Sequence, residues 1–254
     1  MKKSLRLHRA GRAFASAALI FLLSPAAYPQ EHIDADRPGI ADASTVIQPR
    51  SIQLESGVQW ESRPADRVWF LPTLVRIGLL DRLEARIESN TWTAETNRGQ
   101  KEYGIAPISI GAAVVLHPGY SVIARVFPAW GSGDFHASRV TGDLRLAMDF
   151  ELPKALSLNP NVGVASYETE DGRFFTGLMA LTLSYEPTPK VEWFVDTGVQ
   201  APEDEQGPTS VIVDGGAAIF LGRNAQLDIS AGTGIHGNTP PHPFVSVGFA
   251  LRKR

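Results

Sequence analysis

From residue 50 onward, apolar and polar residues alternate with a period of two. In "RVTGDLRLAMDFEL" (139–152), Val140, Gly142, Leu144, Leu146, Met148, Phe150 and Leu152 fall on one face, opposite Arg139, Thr141, Asp143, Arg145, Ala147, Asp149 and Glu151. Strand side chains alternate in this way, so the segment predicts a strand with one greasy and one charged face. Twelve such segments are predicted, near 50–60, 67–79, 82–92, 104–116, 120–130, 139–151, 155–167, 174–186, 190–200, 209–220, 225–235 and 244–252. Each is close to the roughly 9–11 residues that a tilted strand needs to cross a bilayer.

The connections sort by length. "LLDR" (79–82), "HPGY" (117–120), "LPKA" (152–155), "EPTPK" (186–190) and "LGRN" (221–224) are tight turns. Between them lie "ESRPADR" (61–67), "TAETNRGQKEYG" (93–104), "GSGDFHAS" (131–138), "ETEDGR" (168–173), "APEDEQGPT" (201–209) and "HGNTPPHP" (236–243). Tight turns at one end and long links at the other are the mark of an up-and-down meander closed into a barrel. The expected fold is all-β: an up-and-down antiparallel transmembrane β-barrel of about 12 strands. Its greasy face meets lipid and its charged face looks inward. Aromatics near strand ends (Trp60, Trp69, Tyr120, Trp130, Phe150, Phe175, Tyr185, with Trp193 and Phe249 lower) suit two interfacial girdles. The strand at 67–79 fits less well, because it points Phe70 and Leu74 inward.

The inward face is expected to carry Glu55, Arg76, Glu84, Arg86, Glu88, Arg125, Asp143, Arg145, Asp149, Asp196, Asp214 and Asp228, with glycines such as Gly57, Gly78, Gly198, Gly216 and Gly248 among them. The arginines come from early strands. Asp196, Asp214 and Asp228 come from late strands and lack basic inward neighbours except at the closing seam. Unpaired charge in a dry lumen is costly, so pairing or water must be present. Two arrangements satisfy this. The charges can pair into a closed plug, or a basic wall can face an acidic wall across a narrow water-filled path.

The N-terminus adds a compartment. Lys2, Lys3, Arg6, Arg9 and Arg12 precede an apolar run, "AFASAALIFLL", and then "SPAAYPQ", the pattern of a cleaved secretory signal over 1–30. Without those five basic residues, 19 of the 24 remain against 27 acidic ones, a net charge of −8. Nothing in that balance suits nucleic acid. There is no cysteine, so neither disulfides nor cysteinyl metal sites are expected. Residues 31–49 read as a periplasmic leader or a partial plug, and 50–254 as the barrel.

Residues 34–60 resemble the start of an outer-membrane family assigned to transport in phenol meta-cleavage (MetA-type) pathways. The resemblance rests on Asp36-Arg37-Pro38, on Val46-Ile47-Gln48-Pro49, and on Gln53-Leu54-Glu55-Ser56-Gly57. Leu71, Pro72, Arg76, Gly78, Leu79, Asp81, Glu84 and Arg86 match its second hairpin. The resemblance implies an outer-membrane barrel and uptake of hydrophobic or aromatic compounds. The chain departs from outer-membrane habit at its end, "FVSVGFALRKR", where Phe249 or Leu251 stands in for a terminal aromatic ahead of Arg252, Lys253 and Arg254.

Other chemistry is weak. "GTGIHG" (232–237) has the spacing of a dinucleotide loop but runs into "NTPPHP" rather than a helix. His32, Asp34 and Asp36 alternate along an extended stretch and read as solvated leader rather than a metal site. Glu203, Asp204 and Glu205 read as a solvated loop, although bridging to lipopolysaccharide through divalent ions is open to them. A lipase would need His136, His236 or His242, all in outer loops, to meet a serine. The expected activity is a non-enzymatic channel for small solutes, hydrophobic or aromatic ones among them. The alternatives are an adhesive or structural barrel and an outer-membrane hydrolase. No cofactor is expected. Expected partners are outer-membrane lipid and lipopolysaccharide, the barrel assembly machinery and a small-molecule solute.

Overall fold

The computed structural model describes residues 32–254 apart from 63–65, 98–99, 170–171 and 238–241, so the expected signal segment lies outside the described residues. The strands are β1 (Ile52–Ser62), β2 (Asp66–Leu80), β3 (Leu83–Asn97), β4 (Gln100–Gly104), β5 (Ser109–His117), β6 (Tyr120–Phe127) and β7 (Thr141–Met148). They continue as β8 (Phe150–Leu152), β9 (Leu156–Glu168), β10 (Arg173–Thr188), β11 (Val191–Ala201), β12 (Ser210–Phe220), β13 (Ala225–His236) and β14 (Phe244–Lys253). All pair antiparallel, and β14 returns to β1 from Ile52↔Lys253 to Glu61↔Phe244, closing the ring. Short β4 extends the β3 ladder beyond β5, and short β8 continues β7 along β9, so the ring has twelve strands.

Both interruptions have local causes. Between β4 and β5 the chain leaves the ladder at residues 105–108, where Pro107 has no N–H to donate. Between β7 and β8 it steps out at Asp149, whose carboxylate turns inward to accept the Ser44 amide at 2.9 Å. The stretch 93–104, expected as an open link, is instead a paired hairpin extension, with Thr93↔Gly104 through Asn97↔Gln100 in register. The tight connections all lie at one end. Gly119 (φ 77°) and Gly222 (φ 82°) take the left-handed conformation in two of them, which a Cβ disfavours.

The polarity of the ring is inverted relative to a soluble barrel. Ile110 is 60% exposed on the outside, while Arg76 and Glu84 on the inside are 0% exposed. The register puts Leu54, Val75, Ile87, Leu144, Val164 and Val247 on the outer face, so the greasy face of the 139–152 strand meets lipid. Aromatic pairs mark both rims of this face. Trp60–Trp69 and Trp92–Tyr103 lie toward the long-loop end, and Tyr120–Phe150 lies edge-on at 5.8 Å near the tight turns. The chain is an outer-membrane β-barrel. Its tight turns mark the periplasmic side.

Candidate functional site

Residues 32–50 lie inside the ring. They enter at the tight-turn end, where His32 stacks on Phe220 at 3.6 Å and Ile33 packs among Ala218, Phe220 and Ala250. They climb to an apex at 39–42 and return along the opposite wall. There Val46 meets Ala113, Ile123 and Ala147, and the Arg50 amide donates to the Gly78 carbonyl at 2.9 Å. The leader is therefore not a solvated stretch outside the barrel; Ile33 and Ile47 are among its most buried residues.

An irregular segment in a lumen must find partners for its amides, because there is little water to take them. The wall carboxylates supply them. The amides of Arg37, Ile40, Ser44 and Ile47 donate to Glu55 (3.1 Å), Asp196 (2.7 Å), Asp149 (2.9 Å) and Glu84 (2.9 Å). This explains how Asp149 and Asp196 remain inside without an arginine.

The arginine-bearing wall receives the leader's acids. Asp42 is the hub. Its carboxylate meets Arg125 at 3.1 Å, Arg145 at 3.0 Å and Arg86 at 3.3 Å. Its backbone is clasped by Asn161, which accepts from the amide at 2.9 Å and donates to the carbonyl at 3.0 Å. Burial alone would raise the Asp42 carboxyl, but the guanidiniums of Arg125, Arg145 and Arg86 outweigh it and hold it well below the usual carboxylate range. Asp36 bridges Arg86 and Arg76. Arg76 also holds Glu84 at 2.9 Å and Glu55 at 3.5 Å, and Arg125 holds Asp143 at 3.1 Å and Glu88 at 2.9 Å.

The late wall receives a cation from the leader. Arg37 reaches Asp228 and the Ser246 hydroxyl, both at 3.0 Å. A Cβ on Gly248 would overlap the Arg37 guanidinium, and one on Gly78 would overlap the Gln48 carbonyl, so inner-face glycines supply the room the leader occupies. Asp214 stands directly across the ladder from Asp196 and has no cationic partner among the described residues. Of the twelve residues expected on the inner wall, eleven lie in strands and Asp149 lies at the step between β7 and β8. Sequence reasoning missed Asp36, Arg37 and Asp42. They lie in a stretch without the period-two alternation that places the wall residues.

At the entrance, burial opposes a charge on His32, but hydrogen bonding to Glu186 at 3.4 Å and to the Ile33 carbonyl raises its affinity for the proton. His32, Asp34 and Asp36 have separate partners, and no group of three potential ligands is placed to hold a metal among the described residues. The stretch 232–236 belongs to β13, not to the start of a helix. His136 lies past a short 3₁₀ turn, and no serine hydroxyl bonds a histidine ring among the described residues. Above the apex is a cavity of about 710 Å³ facing the long loops. Residues 36–42 form its floor, and Phe70, Phe127, Tyr167 and Phe244 line it.

A family model described as "Putative MetA-pathway of phenol degradation" matches residues 35–252. The chain belongs to this phenol-degradation family. The match takes in most of the leader, from Ala35 onward, and the strands of the ring up to residue 252. No functionally curated protein matches the chain in sequence. Among solved structures, it is similar to an outer membrane channel from Pseudomonas putida F1, at 11% identity and a TM-score of 0.64, covering 87% of this chain and 100% of that one. It is also similar to the NanC porin, at 10% identity and a TM-score of 0.52, covering 80% of this chain and 100% of the porin. At such identities the likeness concerns the fold of this family member.

Proposed function

We propose that the chain is a passive outer-membrane channel for small molecules, hydrophobic and aromatic ones among them, and that residues 32–50 are its gate. The observation that carries this reading is the cavity of about 710 Å³, open toward the long loops and floored by residues 36–42. An adhesive barrel has no need of such a chamber. Membership in a family tied to phenol degradation and a fold shared with an outer membrane channel support the same reading. Four aromatic rings give the chamber apolar contact area, and paired charges below them keep the floor polar and wettable. Solute then passes when the apex leaves its seat on Asp196 and Asn161. No cofactor or catalytic group is assigned to the chamber. The hydrolase and adhesive alternatives have no feature of the described residues in their favour.

The test is electrical. Purified protein in a planar bilayer is expected to show small, flickering single-channel steps, and Asp42→Asn is expected to lengthen the open events. A bilayer that stays silent with both proteins, each verified as folded by its faster migration in unboiled SDS, would overturn the channel reading.

A further inference from the structure

The charges around the outer chamber are unequal in number and in availability. Seven carboxylates line it against four guanidiniums, those of Arg37, Arg86, Arg125 and Arg145. Each guanidinium is already committed: Arg37 to Asp228, Arg86 to Asp36 and Asp42, Arg125 to Asp42, Asp143 and Glu88, and Arg145 to Asp42. A carboxylate solute would have to break one of these pairs to find a cation. One of the acids has spare capacity. Glu88 meets Arg125 through Oε2 alone, yet its side chain keeps 39% of its exposure. Setting Asp214 aside still leaves six carboxylates against four guanidiniums. The faces of Phe70, Phe127, Tyr167 and Phe244 add negative quadrupoles, which favour a cation and disfavour an anion.

We propose that the chamber selects inorganic cations, and aromatic molecules bearing an ammonium or an uncharged polar group, over aromatic carboxylates, with Glu88 as the selectivity-determining residue. This rests on the channel reading. A narrow cavity with low-dielectric walls focuses the field of its net charge, so a small excess of one sign biases which ions enter.

The test uses the full-length protein in planar bilayers under a KCl gradient, and in liposome swelling with two molecules of similar shape, tyramine and 4-hydroxyphenylacetate. The expected result is a several-fold preference for K⁺ over Cl⁻ and faster entry of tyramine. Glu88→Gln removes one charge and uncovers Arg125, so the K⁺ preference should fall by half or more. Glu88→Asp keeps the charge and should retain most of it, which separates charge from a merely structural role. A channel that conducts but favours Cl⁻, or admits 4-hydroxyphenylacetate as fast as tyramine, overturns this inference and leaves the channel reading standing. So does a Glu88→Gln channel with unchanged selectivity. Silence from the wild type and from Asp42→Asn instead overturns the channel reading itself.

Discussion

The two walls of the lumen are built from opposite materials. The early wall, β1 to β7, carries Arg76, Arg86, Arg125 and Arg145 in a dense net with Glu55, Glu84, Glu88 and Asp143. The late wall, β9 to β14, carries Asp196, Asp214 and Asp228 with glycines between them and, among the described residues, no arginine at the level of the leader's apex. The four guanidiniums and four carboxylates of the early wall balance in number, whereas the late wall presents carboxylates alone at that level. The leader adds partners to both. It gives Asp36 and Asp42 to the early wall, and Arg37 and a string of amides to Glu55 and the late wall. The late wall finds its cation in the leader, and the same segment also floors the chamber.

The comparison breaks most severely at Asp42. Replacing it with alanine takes a shared partner from three guanidiniums, those of Arg86 and Arg125 buried, and breaking a buried pair by removing one partner typically costs about 3–5 kcal/mol. The temperature at which the unboiled band converts to the unfolded one should fall markedly, with larger conductance below that temperature. An unchanged transition would mean that the early wall closes on itself. Asp42→Asn should weaken the hub less, because the amide retains two polar atoms. The same hub has an acid limit. Its folded carboxyl lies below the usual range, so its contribution is full above about pH 4 and is lost only as pH falls through the lowered value. A titration of the transition temperature should therefore stay flat through the mildly acidic range.

Next is the late wall. Arg37→Ala leaves Asp228 without its partner and should destabilise the seat by about 1.5–3 kcal/mol, the usual worth of a hydrogen bond to a charged group. Removing Asp228 as well should restore part of that loss, because the uncompensated charge goes with it. Gly248→Ala should act in the same direction as Arg37→Ala but more weakly, because the group its Cβ meets is the far end of a flexible side chain. Cleavage before Asp34, Asp36 or Asp42 by an Asp-specific endoproteinase, in outer-membrane vesicles opened on their inner side, would report how often the seat empties. The smallest effect is expected at His32. Its folded proton affinity is raised, so its contact with Glu186 is at full strength below about pH 6.5 and is lost as pH rises through the folded value. Leader protection should drop slightly from pH 6 to pH 9, and His32→Ala should abolish that slope.

The ring was legible in the sequence because its information has period two. One residue of slip would turn every charge toward lipid, so the pattern has to be strong. The twelve inward residues followed from the same alternation. The misfit at 67–79 was informative, since Phe70 is one of the rings lining the chamber. The leader has no such period. It is held by backbone amides and by single charges matched to distant strands, and nothing in the local order of Asp34, Asp36, Arg37 and Asp42 announces which wall each meets. The hairpin extension at 93–104 was hidden for a related reason: its residues are polar on both faces because it rises out of the bilayer, so alternation gives no contrast there.

The central claim is that residues 32–50 close the periplasmic half of the lumen and that their apex moves when the channel opens. The chain contains no cysteine, so a single pair can be introduced without ambiguity. A Cβ built on Gly39 lies 3.6 Å from the Thr182 Oγ1, within reach of a disulfide between Gly39→Cys and Thr182→Cys. The decisive measurement is the single-channel conductance of this double variant, oxidised and then reduced in the same bilayer. The account predicts that the oxidised protein is silent and that reduction restores wild-type openings. Equal conductance in the two states would contradict it, since a leader tied to the wall would then be no gate.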